Sequence, residues 1–239
     1  MNIGHWQKRL TLALGFPALL ALAGCGTEAA VAPDDGTIEE GELAIPVMGE
    51  EVRIVAFGDS LFAGYNLAEE EGYPERLEAA LRGRGVNARV IDAGRSGDTS
   101  SAGLERLAFV LNSQQEKPDL LILELGGNDL LRGIEPPETR ANFEAMLDIL
   151  RERDIPVLLM GMRAPPNYGP EYQADFDALY GELAAEYDTA IIPFWLESIY
   201  QEPELFQRDR IHPTADGIEA LVASTINDVQ AALPKDDEG

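Results

Sequence analysis

Five short apolar runs alternate with segments of helical spacing between residues 52 and 233. The apolar runs are 52–58, 88–94, 120–127, 157–162 and 189–194, and the helical segments are 73–84, 101–111, 139–153, 172–187 and 213–233. Short, continuous apolar runs are typical of strands that are buried on both faces of a parallel sheet. The alternation therefore predicts one α/β domain, with a five-stranded parallel sheet between two layers of helices.

Polar motifs follow the predicted strands, at the end of the sheet where such folds bind their ligands. The first is Gly58-Asp59-Ser60-Leu61, directly after the run 52–58. A serine on a tight turn between a strand and a helix is exposed and can act as a nucleophile. Gly-Asp-Ser is also a common turn sequence, so this motif alone leaves both interpretations open.

A glycine follows the second predicted strand, in Ser96-Gly97-Asp98-Thr99. Gly97 would let a backbone N–H approach a substrate oxygen, because no side chain stands in the way. The alternative is an ordinary turn or a helix N-cap formed by Asp98 or Thr99. Ser96 is a rival nucleophile, without a context that distinguishes it.

An asparagine follows the third predicted strand, in Gly126-Gly127-Asn128-Asp129. The Asn128 side chain could donate an N–H to a developing oxyanion. The alternative is a polar loop that uses Asn and Asp for turn formation.

His212 is the only histidine apart from His5. Pro213 disfavours a helical conformation at His212 and predicts an extended loop before the last helix. Asp209 lies three residues earlier, close enough to fold back onto Nδ1 of the imidazole. An exposed loop histidine without a catalytic role is the alternative.

Taken together, these motifs resemble the SGNH (GDSL) hydrolase superfamily over residues 52–230. The four family blocks match at Gly58-Asp59-Ser60-Leu61, Gly97, Gly127-Asn128-Asp129 and Asp209-x-x-His212. The stretches 96–107, 126–133 and 163–176 are similar to the thioesterase I, lysophospholipase L1 and arylesterase branch. The resemblance implies a flavodoxin-like α/β/α sandwich. The Gly-x-Ser-x-Gly elbow of α/β-hydrolases is absent.

The resemblance implies a serine carboxylester hydrolase that works through an acyl-enzyme and without a cofactor. Ser60, Asp209 and His212 would be the catalytic residues, and Ser60, Gly97 and Asn128 would form the oxyanion hole. Substrate contacts are expected from Asp59, Leu130, Leu131, Ile134, Pro165, Pro166 and Tyr168, although ordinary packing explains the leucines and the isoleucine equally well. No metal site is expected, because only one histidine lies outside the predicted signal peptide. A carbohydrate O-acetylesterase and a non-enzymatic flavodoxin-like binding lipoprotein are the alternatives.

The N-terminus has the pattern of a bacterial signal peptide. Lys8 and Arg9 precede the apolar run 10–23, which is too short for a comfortable membrane span. The run leads to Leu22-Ala23-Gly24-Cys25, which resembles a lipobox and contains the only cysteine of the chain. Residues 1–24 are therefore predicted to be a lipoprotein signal peptide, and Cys25 to carry lipid. An ordinary signal peptide with an incidental cysteine is the alternative.

Residues 25–50 are predicted to be an acidic tether, 51–234 the hydrolase domain and 235–239 an acidic tail. A flexible tether of this length would hold the domain roughly 25–30 Å from its anchor. Gly26, rather than Asp, follows the cysteine, which favours the outer membrane, with the domain facing the periplasm. The net charge of −25 disfavours nucleic-acid binding. The expected partners are an ester substrate and the membrane, and the protein is expected to be a monomer.

Overall fold

The computed structural model describes residues 47–234, so the predicted signal peptide, Cys25, the tether up to residue 46 and the tail lie outside the described residues. The sheet has five parallel strands in the order β2-β1-β3-β4-β5. The strands are β1 (Val52–Gly58), β2 (Ala88–Gly94), β3 (Leu120–Leu123), β4 (Val157–Met160) and β5 (Ala190–Ile192). This topology confirms the predicted α/β fold.

Six α-helices accompany the sheet in the described part of the chain. They are α1 (Tyr73–Gly83), α2 (Ser100–Ser113), α3 (Gly127–Arg132), α4 (Pro136–Glu152), α5 (Pro170–Tyr187) and α6 (Ala215–Ala232). Helix α1 packs against α6, whereas α4 packs against α2 and α5. Right-handed crossovers place these two groups on opposite faces of the sheet. None of the helices in 47–234 combines the length and apolarity that a bilayer span requires.

Helix α3 is the main departure from the predicted elements. The third strand was predicted over 120–127, but it ends at Leu123, and α3 begins at Gly127. Gly126 has φ 102°, a left-handed conformation that turns the chain from the strand into the helix. Because of this turn, Asn128 lies in the first turn of a short helix rather than in a loop.

The segment after Ser60 is held by an aromatic cluster under the carboxyl end of the sheet. The rings of Phe62 and Tyr73 stack with centroids 5.2 Å apart, and each forms a T-shaped contact with the ring of Trp195. All three side chains are buried, and the Tyr73 hydroxyl lies 2.7 Å from Oγ1 of Thr225 on α6. This packing ties the turn that carries Ser60 to the helix layer below it.

Candidate active site

The turn after β1 places Ser60 at the carboxyl end of the sheet. Oδ1 of Asp59 accepts a hydrogen bond from the Leu61 N–H at 3.0 Å, which tightens the turn around Ser60. Gly94, at the end of β2, packs directly on the backbone of Ala63, so a side chain at residue 94 would collide with this turn. The two strand ends therefore approach closely beside Ser60.

His212 and Asp209 share a tight loop before α6. Oδ1 of Asp209 accepts hydrogen bonds from the N–H groups of Ile211 and His212 at 3.0 and 3.1 Å. Arg210 has φ 62°, the left-handed conformation that folds the loop back on itself. Oδ2 of Asp209 lies 2.8 Å from Nδ1 of His212. Both oxygens of the Asp209 carboxylate therefore have hydrogen-bond partners within the segment 209–212.

The loop brings His212 to Ser60, with Nε2 of the imidazole 2.9 Å from Oγ of the serine. An ionised carboxylate can only accept, so Nδ1 carries the proton donated to Asp209, and Nε2 of the neutral ring is free to accept the Ser60 hydroxyl proton. Burial opposes ionisation of Asp209, but the hydrogen bonds from His212 and Ile211 outweigh it and lower the pKa of this carboxyl. Asp209 is therefore an anion at neutral pH.

Tyr65 covers the imidazole of His212, with ring centroids 4.3 Å apart and planes inclined at 33°. Gln207 holds both Tyr65 and His212 in place. Its side-chain amide donates to the Tyr65 carbonyl at 2.7 Å, and its backbone N–H donates to the His212 carbonyl at 2.7 Å. Tyr65 and Gln207 could not be identified from the sequence, because neither lies in a family block or shows a periodic signal.

Gly97 follows β2 and has φ 87°, a conformation that favours glycine. Its carbonyl accepts a hydrogen bond from Arg132 at 2.7 Å, which ties the Gly97 loop to the end of α3. Thr99 caps α2 by accepting the Ala102 N–H at 3.3 Å. The segment thus combines the N-cap of α2 with a half-buried glycine that borders the cleft. Among the described residues, the N–H groups of Ser60 and Gly97 have no acceptor.

The side chain of Asn128, in the first turn of α3, contacts Asp59. Its Nδ2 donates to Oδ2 of Asp59 at 2.9 Å, which leaves the second N–H of the amide available. Asp59, which was predicted to contact substrate, borders the cleft but is only 2% exposed, and its two oxygens accept from Leu61 and Asn128. Its hydrogen bonds give Asp59 a structural role at the base of the cleft. Burial raises the pKa of Asp59 to about 6.

A cleft of about 500 Å³ opens over these groups. Five of the residues predicted to contact substrate line it: Asp59, Leu130, Leu131, Pro165 and Tyr168. Ile134 and Pro166 are not in its lining, which corrects the prediction for these two. Ile134 lies beyond the left-handed Gly133 that ends α3, and its carbonyl accepts the Tyr172 hydroxyl at 2.7 Å. Pro166 begins the 3-10 turn Pro166–Tyr168, whose last residue supplies the ring that faces the cleft.

The opposite side of the cleft comes from a segment that the sequence analysis did not associate with substrate. Its apolar residues in the lining are Phe194, Leu196, Tyr200, Pro203, Phe206 and Ile211. This segment has no helical or strand period, so no pattern singled it out. Ser96 also borders the cleft, but the imidazole nitrogen is hydrogen-bonded to Ser60. Within residues 47–234, no group of three or more His, Cys, Asp or Glu side chains is arranged to hold a metal.

Comparison with known proteins gives matches to ester hydrolases. The model of the GDSL-like Lipase/Acylhydrolase family matches residues 56–220. Esterase TesA of Pseudomonas aeruginosa is 41% identical over 160 residues, which are 67% of this chain and 79% of that protein. Thioesterase 1/protease 1/lysophospholipase L1 of Escherichia coli K12 is 38% identical over 163 residues, 68% of this chain and 76% of that protein.

A solved structure, that of the SGNH-hydrolase family esterase AlinE4, is 57% identical and superposes with a TM-score of 0.67. The match covers 79% of this chain and all of that one. These similarities overturn the non-enzymatic alternative, a flavodoxin-like binding lipoprotein. The chain belongs to the GDSL-like lipase/acylhydrolase family, and it is an SGNH-type ester hydrolase with relatives among the arylesterases and thioesterases.

Proposed function

We propose that the protein hydrolyses carboxylic esters through an acyl-enzyme formed on Ser60, with His212 as the base and Asp209 as its partner. The observation that carries this proposal is the continuous chain of hydrogen-bonding distances, 2.9 Å from Ser60 Oγ to His212 Nε2 and 2.8 Å from His212 Nδ1 to Asp209 Oδ2. This is the arrangement that a serine hydroxyl needs to become a nucleophile at neutral pH.

In the first half-reaction, Nε2 of His212 takes the hydroxyl proton while Ser60 Oγ bonds to the acyl carbon. The carbonyl oxygen becomes an oxyanion. When the intermediate collapses, the bond to the leaving alcohol or thiol breaks, and the imidazolium gives its proton to that group. Water then repeats these steps on the acyl-enzyme and releases the acid. Asp209 stays ionised and stabilises the imidazolium.

Three donors are proposed to hold the oxyanion: the N–H groups of Ser60 and Gly97 and the side-chain amide of Asn128. Neither backbone N–H group has an acceptor within residues 47–234, which supports this role, since such donors are ordinarily satisfied within a folded chain. Arg132 and Asp59 hold Gly97 and Asn128 in place before substrate arrives. Donors fixed in advance cost no reorganisation when charge develops.

The apolar cleft supports aryl esters and short-to-medium acyl esters as the substrates, with thioesters and lysophospholipids as further candidates. Apolar walls favour acyl chains and aromatic leaving groups over hydrated sugars. An assay with p-nitrophenyl esters from acetate to dodecanoate, beside acetylated xylan, tests this. Strict preference for acetate together with activity on xylan would favour the alternative, a carbohydrate O-acetylesterase.

Labelling by a fluorophosphonate probe tests the assignment of the nucleophile. We expect the wild type to be labelled and Ser60→Ala to lose both labelling and turnover. Ser96→Ala is the matched control, because Ser96 also borders the cleft, and this variant should still be labelled. Labelling of Ser60→Ala would contradict the proposal.

We further propose that the mature protein is a lipoprotein of the bacterial envelope, attached through Cys25, facing the periplasm and located at the outer membrane. The sequence Leu22-Ala23-Gly24-Cys25 supports this. A diacylglycerol thioether and an acylated amine would supply the two hydrophobic signals that stable attachment needs. Cys25→Ser should leave the membrane fraction, and Gly26→Asp should move the protein to the inner membrane. Unchanged fractionation of Cys25→Ser would contradict lipidation.

A further inference from the structure

Glu124 is a buried acid directly beneath the turn that carries Ser60. It follows β3, is fully buried, and accepts the Asp59 N–H on Oε2 at 3.2 Å. It fits there because residue 58 is glycine, and a β-carbon at that position would come within 2.7 Å of Oε2. Its second oxygen, Oε1, is buried and has no hydrogen-bond partner among the described residues. A buried polar atom without a partner costs free energy, so this oxygen calls for an explanation.

The explanation lies in the neighbouring carboxyl group. The Asp59 N–H lies 3.2 Å from Oε2 of Glu124, so the two carboxyl groups are neighbours, and both are buried. Two carboxylates are both acceptors, so no hydrogen bond can form between them when both are ionised. Two buried like charges in contact also repel each other strongly. One proton between them removes the repulsion and gives the second carboxyl a donor.

The surroundings decide which residue holds this proton. Asp59 has donors that favour its anion, namely the Leu61 N–H and the Asn128 amide. Among the described residues, Glu124 receives only the Asp59 N–H, and complete burial raises its pKa well above that of an exposed glutamate. Glu124 is therefore the protonated partner, and Asp59 carries the negative charge at neutral pH.

The charge on Asp59 fixes the orientation of Asn128. The two ends of an asparagine amide have nearly the same shape, so the side chain could equally point its oxygen toward Asp59. An ionised carboxylate accepts only, which requires Asn128 to turn its NH2 group to Oδ2 of Asp59. The second N–H of that NH2 group then stays on the cleft side, where an oxyanion would lie.

We propose that Glu124 is a positioning residue: it holds a proton, donates it to the Asp59 carboxylate, and through Asp59 keeps the NH2 group of Asn128 facing the cleft. The inference rests on the proposed role of Asn128 as an oxyanion donor.

The other titratable and charged groups around the pair are His212, Tyr180, Asp129 and Arg106. His212 faces Asp59 from the loop before α6, and only its imidazolium form favours the Asp59 anion. The Tyr180 hydroxyl, on α5, donates to the Leu125 carbonyl at 2.9 Å and is held neutral by burial, which raises its pKa. Asp129 accepts hydrogen bonds from Ser100 and Thr139. Arg106 forms an ion pair with Asp98 and donates to the Gly58 carbonyl. None of these groups replaces Glu124 as a donor to Asp59.

Two variants separate this role from simple space filling. Glu124→Gln keeps the shape and supplies a neutral N–H donor for Asp59, whereas Glu124→Leu supplies an apolar group of similar size. We expect Glu124→Gln to keep kcat within about threefold of the wild type, since the donor to Asp59 remains. Glu124→Leu should lower kcat on the order of 10- to 100-fold with KM little changed, because a misoriented Asn128 is a partial loss of one oxyanion donor.

A trifluoromethyl ketone gives a second readout, because its adduct with the serine places an oxyanion in the hole. Its affinity should fall in Glu124→Leu in parallel with kcat and be restored in Glu124→Gln. If Glu124 only filled space, leucine would serve at least as well as glutamine. Full activity of Glu124→Leu, or equal losses in both variants, would overturn the proposal.

Infrared difference spectroscopy tests the proton directly and requires only the near-isosteric variant to fold. The wild type minus Glu124→Gln spectrum at neutral pH should contain the C=O stretch of a protonated carboxyl group. A spectrum that contains only a carboxylate band would overturn the proposal. These outcomes are distinct from failure of the proposed function, which would show instead as turnover by Ser60→Ala.

Discussion

The phenol of Tyr65 lies against the imidazole of His212, with ring centroids 4.3 Å apart. In the proposed mechanism the imidazole becomes an imidazolium while the tetrahedral intermediate forms, and an aromatic face attracts a cation. Tyr65 therefore contacts the ring at the moment when its charge changes.

Removing this ring should slow the reaction by a small, defined factor. An exposed cation–π contact contributes about 0.5–1 kcal/mol, so Tyr65→Leu should lower kcat/KM by about two- to fivefold. Tyr65→Phe is the matched control and should retain activity, because it keeps the aromatic face. Steady-state kinetics with p-nitrophenyl butyrate measure both variants. Equal rates for the leucine and phenylalanine variants would show that the contact has no part in the reaction.

Replacing the partner of His212 should cost far more. In Asp209→Asn the amide can donate to Nδ1, which stabilises the wrong tautomer and leaves Nε2 protonated and unable to accept from Ser60. We expect kcat to fall by about 10⁴-fold with the fold intact. Asp175→Asn, an exposed substitution on α5, is the control and should not change kcat. A loss of less than tenfold in Asp209→Asn would argue against the proposed triad.

Asp59→Asn should change the pH dependence of folding stability and lower the activity. Burial raises the pKa of Asp59 from 3.8 to about 6, so between these values the folded chain binds a proton more tightly than the unfolded chain. This carboxyl therefore lowers folding stability as pH rises from about 4 to about 6, by up to about 3 kcal/mol. Asparagine has no such proton, and urea unfolding at pH 4.5 and 7 should show its stability relative to the wild type improving with pH.

Activity of the same variant should fall, because an amide has one acceptor oxygen whereas the two oxygens of Asp59 accept from Leu61 and Asn128. Either the turn around Ser60 or the Asn128 amide loses its partner. If the stability of Asp59→Asn relative to the wild type did not improve with pH, residue 59 would not be a buried carboxyl that titrates in this range. An unchanged kcat would contradict the role of Asp59 in positioning Asn128.

Arg106 should be important for stability. Its guanidinium pairs with the buried carboxylate of Asp98, donates to the Gly58 carbonyl at 2.9 Å, and lies 4.0 Å from the centroid of Phe57. Arg106→Leu leaves Asp98 buried without this partner, and we expect a loss of about 3–5 kcal/mol in urea unfolding. Arg151→Gln, which breaks an exposed pair with Asp148, is the control, with a loss below about 1 kcal/mol. Similar losses in both variants would refute the distinction.

Much of the fold could be predicted from local patterns. The runs 52–58 and 88–94 coincide with β1 and β2. A continuous apolar run is what the buried strand β1 needs, whereas β2 is an edge strand and only partly buried. The element after β3 could not be predicted in this way, because the four residues after Leu123 are Glu-Leu-Gly-Gly, which show no helical spacing. Gly126 adopts a left-handed conformation there, and a glycine in a sequence does not reveal which conformation it takes.

The candidate site also has features that follow from local sequence and features that depend on packing. Asp209 and His212 are three residues apart, so their hydrogen bond follows from a short loop. Ile134 and Pro166 were assigned to the cleft because they flank its wall in sequence, but the direction of a side chain at the end of a short helix or turn depends on packing. The wall formed by 194–211 has no period, so only the structure could reveal it.

The sequence by itself determined the parallel α/β sheet and the placement of Ser60, Gly97 and Asn128 after successive strands, because the periodicity of buried residues and the order of the elements are local properties of a chain. The tertiary structure alone decided that His212 reaches Ser60 across 152 residues, that Tyr65 covers the imidazole, and that Glu124 lies against Asp59. These contacts depend on how helices and loops pack around the sheet, and no local pattern encodes the distance between residues that meet only after packing.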